Sequence, residues 1–109
     1  MLLSNERLTK SNDINRVLSR GKKIHTPFFV LIYDNFSQDA SVYAFVAGKK
    51  VGNAIKRNRA KRILREAVRT LEHKLPAGFR FVFVARKASS ESTMPIVKNS
   101  IESIRSRIK

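Results

Sequence analysis

The stretch KKVGNAIKRNRAKRILREAVR, residues 49–69, joins a dense run of positive charge to an apolar pattern of helical spacing. Its first fourteen residues, 49–62, hold seven cationic side chains and no acidic one. Like charges at that density repel one another and destabilise a folded chain unless a polyanion neutralises them. The segment therefore predicts a helix whose charged face binds a polyanion.

This helix is predicted to begin after Asn53, a residue suited to an N-cap, and to end at Pro76-Ala77-Gly78. Between these points apolar residues recur at intervals of three and four, which indicates one amphipathic helix of roughly twenty residues. Its apolar stripe consists of Ala60, Ile63, Leu64, Ala67, Val68, Leu71 and Leu75.

The polar face of the same helix carries the predicted binding site. A face that is merely solvated usually mixes charges of both signs at i,i+4, whereas residues 49–65 hold eight cations and no carboxylate. On the helix itself arginine predominates, and its planar fork suits bidentate phosphate contacts. The predicted binding residues are Lys49, Lys50, Lys56, Arg57, Asn58, Arg59, Lys61, Arg62, Arg65 and Arg69.

Composition supports this interpretation. The 109 residues suffice for a single domain, 1–109, and carry a formal net charge of +15, from 23 Lys and Arg against 8 Asp and Glu. Nucleic acid is the first candidate partner and an anionic membrane surface the second. The longest apolar run, residues 28–33, is too short to cross a bilayer. The start of the chain lacks signal-peptide features, and there is no cysteine, which favours the cytoplasm.

The first half of the chain predicts one helix and two strands. Periodicity favours a helix from about Asn12 to Arg20. The β-branched and aromatic run 24–33 predicts a strand, and 41–48 predicts a second strand that returns as a hairpin through the loop 34–41. Lys49 to Gly52 either extends that strand or forms a short further one.

The last part of the chain adds a strand and a helix. Residues 79–86 predict a strand buried on both faces, and 87–93 a linker. Val97, Ile101, Ile104 and Ile108 indicate a closing amphipathic helix. The order α-β-β-(β)-α-β-α predicts one α+β domain with helices packed on a sheet.

No catalytic constellation is predicted. Metal-assisted hydrolysis of a phosphodiester needs clustered carboxylates, and here the acidic residues are scattered over separate elements. Asp34 and Asp39 lie closest in a predicted turn, where Asp is common for its own backbone hydrogen bonding. His25 and His73 are isolated. The GKKVGNA stretch lacks the Gly-Lys-Ser/Thr of a phosphate loop, so we predict neither catalytic nor metal-binding residues.

A second surface is suggested by apolar residues on the first helix and the first strand. These residues either belong to the core or line a cleft that binds unpaired bases. The candidates are Ile14, Val17, Phe28, Val30 and Ile32.

With these residues considered, the sequence resembles the protein subunit of bacterial ribonuclease P. The motif is KKVGNA followed by Arg-Asn-Arg and Lys-Arg, and the likeness extends over nearly the whole chain, from NERLTKSNDINRVLSRGKK to FVFVARK. The resemblance implies an α-β-β-β-α-β-α sandwich with a four-stranded sheet and a left-handed βαβ crossover. It further implies that Arg57, Asn58, Arg59, Lys61 and Arg62 face the RNA subunit.

The resemblance also implies a mechanism and partners. A cleft between the first helix and the sheet is expected to take the single-stranded 5′ leader of precursor tRNA. The RNA subunit is expected to be the catalyst with Mg²⁺, while the protein, a monomer bound 1:1 to the RNA, holds no cofactor and contacts no membrane. Ile14 and Ile32 depart from the aromatic residues common in the family, and Gly48 replaces a usual serine. A structural RNA-binding protein and a free-standing nuclease remain the alternatives.

Overall fold

The computed structural model describes residues 11–35 and 41–109 and confirms an α+β fold. Within this part of the chain a four-stranded mixed sheet is flanked by helices. Two short 3-10 turns, Lys49–Val51 and Arg105–Arg107, complete the elements. In chain order the helices and strands are α1 Ser11–Arg20, β1 Lys22–His25, β2 Phe29–Asn35, β3 Val42–Val46, α2 Ala54–Arg69, β4 Phe79–Ala85, α3 Lys87–Ser90 and α4 Met94–Ile104.

The strand order is β1-β2-β4-β3, with β3 parallel to β4 and the other neighbours antiparallel. The predicted hairpin between the strands at 24–33 and 41–48 is therefore wrong, because β4 lies between β2 and β3. The apolar run of β4 is buried on both faces, as predicted, which suits a central strand. Of the predicted loop 34–41, residues 36–40 lie outside the described part, as do residues 1–10.

The predicted strand 24–33 is two strands that pair with each other. Thr26 makes the turn between them: its hydroxyl oxygen accepts hydrogen bonds from the backbone N–H groups of Phe28 (3.2 Å) and Phe29 (3.0 Å). The Thr26 N–H also donates to the Phe29 carbonyl at 2.9 Å. Threonine here offers the backbone a local alternative to the strand ladder, as Ser and Thr do in turns.

The start of α2 is as predicted, but its end comes earlier. Asn53 caps the helix, since its side-chain oxygen accepts from the Lys56 N–H at 2.9 Å. The helix ends at Arg69, where the Thr70 hydroxyl donates to the Glu66 carbonyl at 2.7 Å. Leu71 and Leu75 continue the apolar spacing yet pack against the core from a loop.

Residues 49–51 form a 3-10 turn and not a strand. The Gly52 N–H closes the turn on the Lys49 carbonyl at 3.1 Å, and Gly52 then adopts a φ of +139°. Side chains rarely tolerate that conformation, and a Cβ here would lie 2.7 Å from Lys56 Cδ. Glycine at this position thus lets the chain reverse directly into α2.

Two apolar clusters lie on opposite faces of the sheet. Along β4, Phe81 and Phe83 point into the larger cluster, which α2 and α4 cover, whereas Val82 points into the smaller one beneath α1. The rings of Phe81 and Phe83 stack on Tyr43 and Phe45 of β3, with centroids 5.4 and 5.5 Å apart. The aromatic side chains of the two neighbouring strands therefore pair on the helix-covered face.

The end of the chain is more regular than predicted. The expected linker 87–93 contains the one-turn helix α3, in which the Ser89 and Ser90 hydroxyls donate to carbonyls three residues earlier. The closing helix is confirmed, and its apolar residues Val97, Ile101 and Ile104 are buried with Ile108 just beyond it.

Candidate nucleic-acid interface

The predicted division of α2 into two faces is present. Ala60, Leu64 and Ala67 are fully buried against the core. The ten predicted binding residues lie on the outside of the helix or on the 3-10 turn before it. Among them Arg57, Lys61 and Arg65 are half-buried, and the exposed ones are Lys49, Lys50, Lys56, Asn58, Arg59, Arg62 and Arg69.

The N-terminal end of α2 adds a further attraction for anions. The Asn53 side chain satisfies one of the backbone N–H groups of the first turn, and that turn holds no acidic residue. Uncapped N–H groups and the helix dipole favour a negative group at such an end. Because Lys49 and Lys50 lie on the turn immediately before it, positive charge continues from the turn into the helix.

The cations of this face differ in their contacts within the protein. The Arg65 guanidinium lies 5.5 Å from the centre of the Phe45 ring, a cation–π contact. Arg69 donates to the Glu66 carboxylate at 2.6 Å. This hydrogen bond lowers the pKa of Glu66 and raises the pKa of Arg69. Both side chains are well exposed, so the pair contributes little to stability.

In two further arginines, atoms of the guanidinium group lie against the protein. Arg59 donates from Nε to the Ser90 carbonyl at 2.9 Å and from Nη2 to the Ser92 carbonyl at 3.4 Å. The Nε of Arg57 is buried without a hydrogen-bond partner in the structure. By contrast, Arg62 is exposed and makes no hydrogen bond or ion pair with residues 11–35 and 41–109. The sequence could not distinguish these arginines, since the carbonyls that Arg59 contacts lie 31 and 33 residues away in the chain.

An apolar residue within the basic end of α2 was missed by the sequence analysis. Ile55 is 78% exposed, next to Lys56. Its position on the outside of the helix, away from the stripe at Ala60 and Leu64, is the signal that identifies it. The face therefore offers a van der Waals contact as well as charge.

The second candidate surface lies on the opposite face of the sheet. Helix α1 packs on β2 and β4. Its Val17 is fully buried there, and Ile32 of β2 is nearly so. Ile14 and Val30 pack against the same small cluster and remain partly exposed. Four of the five predicted cleft residues are thus brought together.

Phe28 is a correction to the predicted cleft lining. It packs against the larger cluster on the side of α2 and α4. The reason is that β2 begins at Phe29, so the alternation that places Val30 and Ile32 on one face does not extend back into the turn. The residues that the sequence analysis missed here are partly buried members of the small cluster, Leu18, Val42, Val46 and Val84.

The position of α1 on the sheet is fixed near both of its ends. Near its start, Asp13 lies 3.7 Å from Nη1 of Arg80, whose guanidinium also donates to the Asp34 carboxylate at 2.8 and 2.6 Å. At its end, Gly21 approaches the sheet so closely that a Cβ would lie 2.8 Å from Ile32 Cγ2 and from the Tyr33 carbonyl oxygen. These contacts set the space between α1 and the sheet.

Within residues 11–35 and 41–109, no three His, Cys, Asp or Glu side chains lie close enough together to hold a metal ion. No helix in these ranges has the length and apolar character required to traverse a bilayer.

The fold and the basic face of α2 define a small basic α+β protein of the kind that binds a polyanion. The family model for ribonuclease P matches residues 2–109. The ribonuclease P protein component of Pelotomaculum thermopropionicum is 36% identical over 94 residues, which cover 86% of this chain and 84% of the relative. That of Caldanaerobacter subterraneus is 35% identical over 98 residues, covering 90% and 84%.

Solved structures agree with these relatives. The ribonuclease P protein from Thermotoga maritima superposes with a TM-score of 0.83 at 30% identity and covers 95% of this chain and 98% of its own. The protein from Staphylococcus aureus gives 0.80 at 26% identity, with 95% of each chain covered. The chain belongs to the bacterial ribonuclease P protein family, the protein subunits of a tRNA-processing ribonucleoprotein.

Proposed function

We propose that this protein binds the RNA subunit of ribonuclease P through the outer face of α2 and its preceding turn. It also binds the 5′ leader of precursor tRNA along the cleft beside α1. In this way it assists the endonucleolytic removal of the leader that produces mature tRNA 5′ ends. The observation that carries the proposal is the exposed, acid-free face from Lys49 to Arg62 on a helix whose other side is fully buried.

The leader is assigned to the apolar face for a physical reason. A single strand offers unpaired bases whose flat surfaces are apolar, while its phosphates need cations. The cleft supplies partly exposed Ile14 and Val30, and β3, which contributes Val46 to this face, leads directly to Lys49 and Lys50. Because its lining is aliphatic, we expect van der Waals contact with the bases and no ring stacking.

The catalyst in this proposal is the RNA subunit, and the protein supplies no catalytic residue. Three carboxylates do not suit a protein-held Mg²⁺, because Asp13 and Asp34 both face Arg80 and Glu66 pairs with Arg69. Within residues 11–35 and 41–109 no three potential metal ligands lie close together. The Mg²⁺ that the holoenzyme requires would then be held by RNA. We propose one protein per RNA subunit, a cytoplasmic location and no membrane contact. A structural RNA-binding role without a substrate is the alternative that the experiments must exclude.

Binding to bacterial ribonuclease P RNA over a range of salt concentrations tests the first half of the proposal. Each phosphate contact adds about 0.7 to 0.9 to the slope of log K against log salt. Arg62→Met should lower the slope by about that amount. Arg107→Met removes an exposed arginine far along the chain from this face and should leave it unchanged. A wild-type slope near zero, or equal effects of the two variants, would contradict the proposed interface.

A further inference from the structure

Arg59 lies in the basic face, but its guanidinium donates hydrogen bonds to the protein's own backbone. Its Nε donates to the Ser90 carbonyl at 2.9 Å and its Nη2 to the Ser92 carbonyl at 3.4 Å. The Nε and Nη2 atoms form an edge through which arginine grips a phosphate with two parallel hydrogen bonds. In Arg59 that edge faces the chain segment 90–92.

The segment that Arg59 holds is itself built into the core. Ser89 and Ser90 are buried, and their hydroxyls donate to the carbonyls of Arg86 at 2.7 Å and Lys87 at 2.9 Å. The last carbonyls of a helix have no partner within that helix. Arg59 provides a donor for one of them, at the end of α3.

This segment connects the basic face to the rest of the fold. Helix α3 follows the central strand β4 directly, and it packs against both α2 and the 3-10 turn Lys49–Val51. A contact between Arg59 and residues 90–92 therefore ties α2 to the connection that leads from the sheet to α4. It acts at the end of α2 where Lys49, Lys50 and the helix N-terminus meet.

Arg62 provides the contrast within the same helix. It follows Arg59 by three residues, so the two side chains are neighbours on the surface. Arg62 is exposed, and its guanidinium makes no hydrogen bond or ion pair with residues 11–35 and 41–109. The two arginines thus match in type and location and differ in what their guanidinium groups contact.

We propose that Arg59 is a positioning residue, which fixes α2 and the Lys49–Val51 turn in the orientation that binds RNA and makes no phosphate contact of its own. This rests on the proposed function, since it presumes that the α2 face binds RNA. Its loss should weaken RNA binding by a similar factor at every salt concentration, because no counterion release is removed. Loss of Arg62 should instead change the salt dependence itself.

The test compares Arg59→Met, Arg59→Lys and Arg62→Met in the full chain. Affinity for bacterial ribonuclease P RNA is measured across salt concentrations, together with the thermal midpoint and backbone amide exchange in residues 89–93. We expect Arg59→Met to keep the wild-type slope, lose affinity several-fold, melt at a lower temperature and exchange faster in 89–93. Arg62→Met should lower the slope by about 0.7 to 0.9 and leave melting and exchange unchanged.

Arg59→Lys keeps the charge but loses the planar fork that reaches two carbonyls. It should therefore behave like Arg59→Met in melting and exchange, and this variant also serves if the methionine variant does not fold. The proposal is overturned if Arg59→Met lowers the slope as Arg62→Met does, or if lysine restores wild-type affinity and exchange. If wild type shows no salt-dependent RNA binding, the proposed function fails, while unchanged exchange in 89–93 would still refute the Arg59 contact.

Discussion

The Arg80 guanidinium on β4 lies directly across the sheet from Asp34 on β2 and donates two hydrogen bonds to its carboxylate, at 2.8 and 2.6 Å. Only 10% of the arginine side chain is exposed, against 21% for the aspartate. The hydrogen bonds that Arg80 donates to Asp34 raise the pKa of Arg80, with burial opposing them. The arginine therefore remains charged throughout the pH range in which proteins are normally handled.

Arg80→Met should destabilise the protein, because it leaves Asp34 and Asp13 without their shared cation. Removing one partner of a mostly buried pair costs on the order of 3 kcal/mol. Urea unfolding measures this. The matched control is Arg69→Met, which breaks the exposed pair with Glu66 and should not change stability measurably. Equal free energies of unfolding for the two variants would mean that the Arg80 ion pair contributes no more to stability than the exposed Arg69 pair.

Gly21 and Gly48 offer a matched pair for testing how closely α1 approaches the sheet. A Cβ on Gly21 would lie 2.6 Å from the Val17 carbonyl oxygen and 2.8 Å from Ile32 Cγ2, whereas nothing lies within 4 Å at Gly48. Gly21→Ala should cost about 1 to 3 kcal/mol through overpacking. Gly48→Ala should be neutral or slightly stabilising. The thermal unfolding midpoints of both variants test this. A Gly21→Ala midpoint equal to that of wild type would show that α1 can move away from the sheet without loss of stability.

The buried side of α2 should govern stability and leave RNA binding alone. Leu64 is fully buried, and Leu64→Ala should cost about 2 to 5 kcal/mol. The molecules that remain folded should bind the RNA subunit as wild type does, since Leu64 faces away from the basic face. Denaturant unfolding and RNA binding at low temperature test this. Normal stability combined with lost binding would mean that the two faces of the helix have been exchanged.

The cleft should discriminate precursor from mature tRNA. Val30 lies on the face beneath α1 and is partly exposed, so Val30→Ala removes apolar contact with the leader. Precursor binding to the holoenzyme should weaken several-fold while binding of mature tRNA stays the same. Phe28→Ala is the control, because Phe28 packs into the larger cluster. It should lower stability without changing the ratio of the two affinities, and the reverse pattern would place the leader at Phe28.

The elements with strong periodicity could be predicted from the sequence. The stripe from Ala60 to Val68 located α2, the polar Asn53 located its start, and the mostly apolar segment 79–86 predicted a strand buried on both faces. The predicted pairing of the strands was wrong, because hydrophobic pattern shows which face is buried but not which strand lies alongside. β4 follows α2 in the chain and lies between β2 and β3 in the sheet. This pairing joins residues far apart in the sequence, so no local pattern indicates it.

The candidate site, like the fold, could be predicted from the sequence only in part. Charge and spacing were enough to locate the basic face, because an acid-free run is visible in the sequence. They did not reveal that Arg59 contacts the carbonyls of Ser90 and Ser92 or that Arg65 lies over Phe45. Phe28 was assigned to the cleft because the Thr26 turn was unrecognised, and that turn depends on one hydroxyl group.

We propose that the protein assists an RNA catalyst and does not itself cleave. Two polyanions must approach closely for the RNA to hold its substrate, and a protein of charge +15 lowers that repulsion. Its benefit should be largest at low Mg²⁺ and shrink as Mg²⁺ rises, since free cations then provide part of the same screening.

The most direct measurement is cleavage of precursor tRNA by the protein alone, by bacterial ribonuclease P RNA alone, and by both together at low and at high Mg²⁺. We expect no cleavage by the protein alone, faster cleavage by the RNA with the protein than without it, and a larger gain at low Mg²⁺. Cleavage by the purified protein without RNA, or no stimulation of the RNA at low Mg²⁺, would contradict the account.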